Sequence, residues 1–335
     1  MSISKNDIYL YVYFIFLTII VSFFVANRDL YNVADTMNYA NNFLNKTTME
    51  FYYEFLFELL TYFIRLLSDS YFLYFFVLNV ILNFLILRVS IVISDIFNLN
   101  KLIFFIFLFS IFIYSSWYYT ASTNGLRQGL ALLFCYYSFV SYLVHRSKIK
   151  FFLIFIASCF FHYSNFLILP FILLYKLSLN KIFLLLNLCG IFYFFNFNEI
   201  IVKEVSYLLS LPLYDQIKNY NEFDLVAYRY GFQLDLFLYT MFFVCVYWLY
   251  SNFVLKGDLF FLNIVKFYYI LVFPYFVFGF AAYSNRYGFI AWFFSVFLNG
   301  FILYVSLLKF GKNYFRYFVV FLFLISTIFF YYRFV

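Results

Sequence analysis

The sequence predicts an all-α protein: a polytopic, integral membrane bundle of helices that forms one domain over residues 1–335. Hydrophobic residues make up 67% of the chain and charged residues only 11%, and the mean hydropathy is +0.92. Apolar runs that are long enough to cross a bilayer, about 20 residues as a helix, recur from one end of the chain to the other. A helix satisfies its own backbone hydrogen bonds in lipid, so these runs are predicted to be helical.

About nine full spans are predicted from these runs. The first run, Ile8 to Ala26, is longer than a signal-peptide core and lacks a cleavage motif of small residues, so it is predicted to be a retained span. The four cysteines lie within apolar runs, which predicts buried small side chains rather than disulfides or metal ligands. The predicted spans are 8–26, 71–94, 102–119, 125–144, 182–197, 233–254, 267–283, 287–308 and 314–333.

Two further apolar stretches do not fit a simple span. In 50–67, EFYYEFLFELLTYFIRLL, the polar residues recur every three or four positions and form one stripe along a helix. The pattern predicts an amphipathic helix whose glutamate stripe (Glu50, Glu54 and Glu58) faces water at the membrane interface or lines a wet cavity. In 151–176, two apolar halves flank His-Tyr-Ser, and each half is about 16 Å long as a helix. Each half therefore spans about half of a bilayer, which predicts a re-entrant segment or a pair of half-helices.

The distribution of basic residues predicts the orientation of the chain. With a cytoplasmic N-terminus, 50–67 on the outer surface and 151–176 dipping in and returning, 13 of the 22 Lys and Arg residues face the cytoplasm. The positive-inside rule favours this arrangement over one in which 151–176 crosses. The outer side then carries two long loops, at about 27–49 and 198–232.

Two arginines lie at predicted helix starts on the outer side. STNGLR at 122–127 and YSNR at 283–286 each offer Ser, Thr or Asn as an N-cap and an arginine in the first turn, Arg127 or Arg286. A cation there opposes the helix dipole and is disfavoured by lipid, so an anion is expected nearby. Two interpretations are open. One is a clamp for phosphate or diphosphate, and the other is an arginine that reaches the interface or pairs with a loop carboxylate.

Other polar residues on this side also have two interpretations. His162 is either a hydrogen-bonded interior histidine or a site residue at the tip of the half-helix pair, and Asp35 either caps a loop or acts as a base. Tyrosines of loop 198–232 either stack on sugars or anchor at the headgroups. The chain has no nucleotide-binding loop and no metal-binding motif, so neither cofactor nor metal is predicted. Its basic residues are scattered, which does not indicate nucleic-acid binding.

The order of these residues resembles the EpsG-like branch of the Wzy-type polysaccharide polymerases, which polymerise repeat units of O-antigen, capsule or exopolysaccharide. The family pattern has an external arginine, a segment ending in Asp and Tyr, and a Glu-bearing aromatic stretch, here MEFYYEFLFELL. It continues with N-x-x-R-x-x-x-A, a basic turn, A-x-x-F-H-x-S and a late external arginine. A glycine often precedes the Asp, where this chain has Ala34. The matching residues are Arg28, Asp35, Tyr39, Asn124, Arg127, Ala131, His162, Ser164 and Arg286.

The resemblance implies a glycosyltransferase that acts on undecaprenyl-diphosphate-linked oligosaccharide at the periplasmic face of the bacterial inner membrane. The growing glycan would move as a block onto a sugar hydroxyl of a new lipid-linked repeat, releasing undecaprenyl diphosphate. The catalytic candidates are then Asp35, His162 and Arg127. The candidates for binding diphosphate or sugar are Arg28, Tyr39, Asn124, Arg127, Arg229 and Arg286. Expected partners beside membrane lipid are a chain-length regulator protein and the flippase.

Other functions stay open from the sequence. A flippase for lipid-linked glycans would need inverted repeats and charges along a path through both leaflets, whereas the polar residues here lie mostly on one side. An O-antigen ligase performs the same chemistry with lipid A as the acceptor. A sugar acyltransferase would also carry an intramembrane histidine, but no acyl-transfer constellation is evident.

Overall fold

The computed structural model describes residues 5–31, 35–46, 52–210, 231–281 and 283–311, together with 212, 214, 215, 217, 317, 321 and 322. Within these residues every regular element is helical, which confirms the predicted all-α fold class. The chain divides into two compact units. The first comprises Met1–Asn165 and Val296–Val335, and the second comprises Phe166–Ser295.

The first unit is built around one long central helix, α4. Its fully buried face includes Leu78, Leu82 and Ile86, and it packs against α1, α5 and α7. Side chains cap several helix starts: Ser70 accepts a hydrogen bond from Leu73 N–H, and Asn100 accepts one from Ile103 N–H. The helices are α1 (Lys5–Ala26), α2 (Thr36–Leu44), α3 (Phe55–Leu67), α4 (Tyr71–Ile96), α5 (Lys101–Tyr114), α6 (Ser116–Ser122), α7 (Leu126–His145) and α8 (Lys148–Phe161).

The second unit packs its helices around α13. Asn198, at the start of α11, donates hydrogen bonds to the carbonyls of Phe276 and Val277, which lie in the last turn of α13. The elements are a 3₁₀ turn (Tyr163–Ile168) that continues from the first unit, α9 (Leu169–Ile172), a 3₁₀ turn (Leu173–Lys176), α10 (Leu179–Phe194), α11 (Phe197–Leu208), α12 (Leu234–Leu249) with a π-helical extension (Tyr250–Val254), α13 (Leu259–Phe278) and α14 (Ser284–Phe310), which reaches into the first unit.

Five helical stretches are long and apolar enough to cross a membrane, and up to seven if each of two bent pairs counts as one span. One bent pair is α5 with α6, at 81°, and the other is α10 with α11, at 96°. This confirms a polytopic membrane protein, whereas the predicted number of about nine spans stays a prediction. The predicted span 125–144 corresponds to α7, and most of 314–333 lies outside the described residues. The five stretches are Ile8–Ala26, Tyr71–Ile96, Leu234–Val254, Leu259–Phe278 and Ser284–Lys309.

The two unusual stretches of the sequence have clear counterparts. The break predicted within 151–176 is present, because α8 ends at Phe161 and the chain continues as a 3₁₀ turn from Tyr163. The predicted polar stripe of 50–67 is also present along α3, and its described members face the inside of the unit, which contradicts the interfacial alternative and leaves that of a cavity-lining helix. Glu54, Glu58 and Thr61 are buried, because basic and polar partners inside the unit satisfy them.

Candidate functional site

Arg127 is the second residue of α7, as the sequence predicted, but the cap of this helix differs from the prediction. The N-cap residue is Gly125, and no side chain caps the helix. Thr123 instead donates its hydroxyl to Tyr119 O, at 2.7 Å, and the Asn124 side chain bonds to another helix. The first N–H groups of α7 therefore have no side-chain cap beside the arginine.

A close approach between α6 and α7 holds this turn in place. A Cβ added at Gly129, one turn into α7, would lie 2.8 Å from the Cβ of Ala121 in α6. Only glycine therefore allows the two helices to pack at this distance. This packing fixes the direction in which α7 begins, and with it the position of Arg127.

The anion that Arg127 requires is Glu54, the N-cap residue of α3. Arg127 Nη1 lies 2.5 Å from Glu54 Oε2, and the Glu54 side chain is only 8% exposed. The guanidinium also lies over the Tyr53 ring, with Cζ 4.0 Å from the centroid, and its Nε donates to Tyr39 Oη at 3.4 Å. These hydrogen bonds engage Nε and Nη1 of the guanidinium.

Glu54 also connects Arg127 to the helix break at His162. Its Oε1 accepts a hydrogen bond from Tyr163 N–H at 3.4 Å and lies 3.9 Å from His162 Nε2. His162 Nδ1 accepts a hydrogen bond from Ser164 N–H at 3.2 Å, and it lies 2.7 Å from Ser164 Oγ. An acceptor at Nδ1 places the proton of the neutral ring on Nε2. The face of His162 that points towards Glu54 is therefore a donor of hydrogen bonds.

Asn124 joins the arginine to the predicted base. Its side-chain oxygen accepts from Asp35 N–H at 3.3 Å, and its backbone oxygen accepts from Tyr39 Oη at 3.1 Å. Asp35 is the half-buried N-cap residue of α2, and Tyr39 follows it by one helical turn. Three residues predicted from two separate motifs, Asp35 and Tyr39 from one and Asn124 from the other, thus lie side by side.

Arg28 is a second cation next to this group. It is 7% exposed, lies over the Phe75 ring with Cζ 4.0 Å from the centroid, and donates to Val25 O and to Thr36 at the start of α2. Burial lowers the pKa of Arg28 to about 10, so it is still protonated at neutral pH. Among the described residues, its Nη2 has no hydrogen-bond partner. A buried cation with an unsatisfied donor gains from binding an anion.

The sequence profile of the EpsG family, a family of Wzy-like polysaccharide polymerases, matches residues 11–335. The chain belongs to the EpsG family. Neither the comparison with curated proteins nor the comparison with solved structures gave a match.

Membership of the EpsG family indicates a membrane protein of the polysaccharide-polymerase type, with a glycosyltransferase-like activity. The structure brings six of the predicted site residues together with Glu54. We call these seven residues the arginine cluster. These residues are Arg28, Asp35, Tyr39, Glu54, Asn124, Arg127 and His162. All of them lie in the first unit, at the ends of helices.

Two predicted site residues of this EpsG-family protein are not part of the cluster as described. Arg286 lies in the second unit, in the first turn of α14 as predicted, where it is exposed and lies 4.3 Å from the Tyr283 ring centroid. Arg229 lies outside the described residues. Their predicted contacts with substrate therefore stay predictions. The described residues contain no group of three or more His, Cys, Asp and Glu that could hold a metal ion.

Glu54 is the site residue that the sequence did not identify. The sequence predicted that Arg127 needs an anion, and it placed three glutamates on one stripe. It left open whether that stripe faces water at the interface or lines a cavity, and it did not pair Glu54 with Arg127. The missing signal was that the opposite side of α3 is entirely apolar, with Phe63 and Leu66 exposed on it. An apolar outer side and a polar inner side are expected for a helix that faces lipid and covers a polar site.

Proposed function

We propose that this EpsG-family protein polymerises undecaprenyl-diphosphate-linked oligosaccharide repeats into O-antigen, capsule or exopolysaccharide at the periplasmic face of the bacterial inner membrane. The observation that carries the proposal is the arginine cluster. It combines two cations with carboxylates and a hydrogen-bond donor within one half-buried site. A chain-length regulator and the flippase are proposed as partners of the reaction.

The leaving group explains the two arginines. In the proposed transfer, the bond between the anomeric carbon of the growing glycan and the diphosphate oxygen breaks, and the electron pair stays on the diphosphate. Arginine forks bind phosphate oxygens with two parallel hydrogen bonds and stabilise the charge that develops. Arg127 supplies this fork, and Arg28 adds a buried positive charge beside Thr36 at the start of α2.

Glu54 neutralises Arg127 while no substrate is bound. The 2.5 Å ion pair satisfies a cation that would otherwise stand alone at a helix start. When a diphosphate binds, the arginine shares its donors between two anions, and Glu54 holds the guanidinium plane in place. Both oxygens of Glu54 already accept hydrogen bonds, from Arg127 and from Tyr163 N–H, so Glu54 is poorly suited to take up a proton.

Asp35 is the proposed base. The acceptor hydroxyl of the second lipid-linked repeat attacks the anomeric carbon, a new C–O bond forms, and the hydroxyl proton moves to the Asp35 carboxylate. His162 presents Nε2–H to the diphosphate or to a sugar hydroxyl. Ser164 orients the His162 ring through its hydroxyl and its N–H, and the Asn124 side chain fixes the backbone of Asp35 by accepting a hydrogen bond from its N–H.

Deletion of the gene, followed by a gel of surface glycans, tests the proposal. A product of one repeat supports a polymerase, loss of all glycan would support a flippase, and free lipid-linked polymer would support a ligase. Complementation with the intact gene should restore the long chains. An unchanged ladder in the deletion strain would contradict the proposal.

Asp35→Asn is expected to lower the polymerisation rate by about 10²–10⁴, the contribution of a positioned base. The change keeps the size of the side chain and the backbone bond to Asn124. Glu54→Gln is the comparison, since it should lower activity less. Chain lengths in vivo and turnover of reconstituted enzyme measure both effects. A near-normal rate for Asp35→Asn would remove Asp35 from the mechanism.

His162→Gln should retain more activity than His162→Asn. The Gln amide nitrogen reaches the position of Nε2, the proposed donor, whereas the Asn amide reaches only that of Nδ1. Turnover of both variants across a range of pH values measures the difference. If His162 were the base, the two variants would be equally inactive. The wild-type rate would also fall as the pH drops through about 6.5, the ordinary pKa of histidine.

Single cysteines test the predicted orientation. Probes in loop 198–232 and at Tyr283 should react with an impermeant thiol reagent added from the periplasmic side, and a probe at Ser147 should not. A probe at Lys176 should also stay protected if 151–176 dips and returns. Reaction at Lys176 alone would mean that this segment crosses, and reaction at both Ser147 and Lys176 would reverse the proposed orientation of this part.

A further inference from the structure

A polar pocket of about 350 Å³ is lined in part by Tyr53, the residue whose ring contacts Arg127. One of its walls is a single face of α2. The asparagines on this face are spaced i, i+3, i+4 and i+7, the repeat that places side chains in one row on a helix. The opposite face of α2, with Tyr39, Ala40 and Phe43, is buried in the first unit. The described lining residues are Asn38, Asn41, Asn42, Asn45, Lys46, Tyr52 and Tyr53.

Three residues that line the pocket are hydrogen-bonded to Glu58. This carboxylate is 1% exposed and lies 2.5 Å from Lys46 Nζ. It also accepts hydrogen bonds from Asn42 Nδ2, at 3.3 Å, and from Tyr53 N–H, at 2.7 Å. One buried anion thus orients three lining residues and neutralises the charge of Lys46. The pocket is therefore polar without carrying a net charge from this pair.

This chemistry fits an uncharged sugar. Each asparagine amide offers an acceptor and two donors, which match hydroxyl groups that both donate and accept. Tyrosine rings offer apolar faces for the C–H side of a sugar ring, and a hydroxyl at the rim. Asn38, Asn41 and Asn45 are exposed, so their amides can reach a ligand. The volume is at the lower end of the range for small-molecule pockets, about 300–1,000 Å³.

Tyr53 places this pocket next to the arginine cluster. The Cζ atom of Arg127 lies 4.0 Å from the centroid of the Tyr53 ring, and Tyr53 also lines the pocket. A ligand with its diphosphate at Arg127 and a neighbouring sugar in the pocket would contact Tyr53 from both groups.

We propose that the asparagine face of α2 is a subsite for an uncharged sugar residue of the lipid-linked glycan. The inference rests on the proposed function for the identity of that glycan. The binding of an uncharged sugar by itself does not require that the protein be a polymerase.

Saturation-transfer NMR on the purified full-length protein in detergent micelles tests the subsite. The probes are glucose, galactose, N-acetylglucosamine and, as the acidic counterpart, glucuronic acid. At least one uncharged sugar should receive saturation, and the double variant Asn38→Ala with Asn41→Ala should weaken its binding by about tenfold. Both side chains are exposed, so the variant should unfold at the same temperature as the wild type. Asn252→Ala, in the second unit, is the matched control and should bind normally.

Arg127→Ala separates this inference from the proposed function. It should abolish polymerisation but leave sugar saturation in place, and inorganic pyrophosphate should not displace the sugar. Saturation that depends on Asn38 and Asn41 supports the subsite even if the gene-deletion gel shows a flippase. No saturation of any uncharged sugar, unchanged saturation in the double asparagine variant, or a preference for glucuronic acid would overturn the subsite, whatever the gel shows.

Discussion

Arg127→Ala should abolish polymerisation while the protein still inserts in the membrane. The leaving diphosphate loses its main fork of donors, and removal of one preorganised donor of this kind costs about 10²–10³ in rate. The same change also leaves the buried Glu54 carboxylate without its 2.5 Å partner. Turnover of reconstituted enzyme and the ladder of surface glycans measure the loss.

Arg127→Lys should restore little of this activity. Lysine supplies a point charge without the planar fork, and it cannot lie over the Tyr53 ring as a guanidinium does. Arg146→Asn is the control at the other end of α7, where Arg146 is exposed and has a left-handed backbone (φ of 54°) that asparagine tolerates. This control should make chains of normal length. Wild-type chains from Arg127→Lys would rule out a bidentate clamp.

Lys46→Met should be the most destabilising of the changes considered. It leaves the Glu58 carboxylate buried without a counter-charge, and breaking a buried ion pair costs about 3–5 kcal/mol. Lys46 and Glu58 are 4% and 1% exposed at their side chains, so water cannot replace the lost partner. A lower midpoint of thermal unfolding in detergent micelles, compared with the wild type, measures the effect.

Two controls separate burial from charge. The double change Lys46→Met with Glu58→Leu removes both charges and should recover much of the stability, because the remaining side chains need no counter-ion. Arg65→Met, in the same helix as Glu58, breaks a pair with Asp69, which is 85% exposed. Surface pairs of this kind contribute about 0–1 kcal/mol. A loss from Lys46→Met no larger than that from Arg65→Met would contradict the importance of the buried pair.

Composition and short motifs determined the fold class and most of the cluster. Apolar runs of about 20 residues recur along a chain with 67% hydrophobic residues, and such runs satisfy their backbone hydrogen bonds in lipid as helices. A cation at a helix start requires an anion nearby, and this requirement indicated Arg127 as a site residue. The two short half-helices indicated the break at His162. These features depend on local spacing and charge, which the sequence displays directly.

The tertiary structure alone decided which anion Arg127 receives. Glu54 lies 73 positions earlier in the chain than Arg127. Its stripe is compatible with a helix face that points to water and with one that points to the interior of the helix bundle. Periodicity defines a face but not the direction in which it points, because that direction depends on what packs against the helix. For the same reason the pocket at the asparagine face of α2 depends on tertiary structure, because its tyrosines and Glu58, which binds its lining residues, come from other segments.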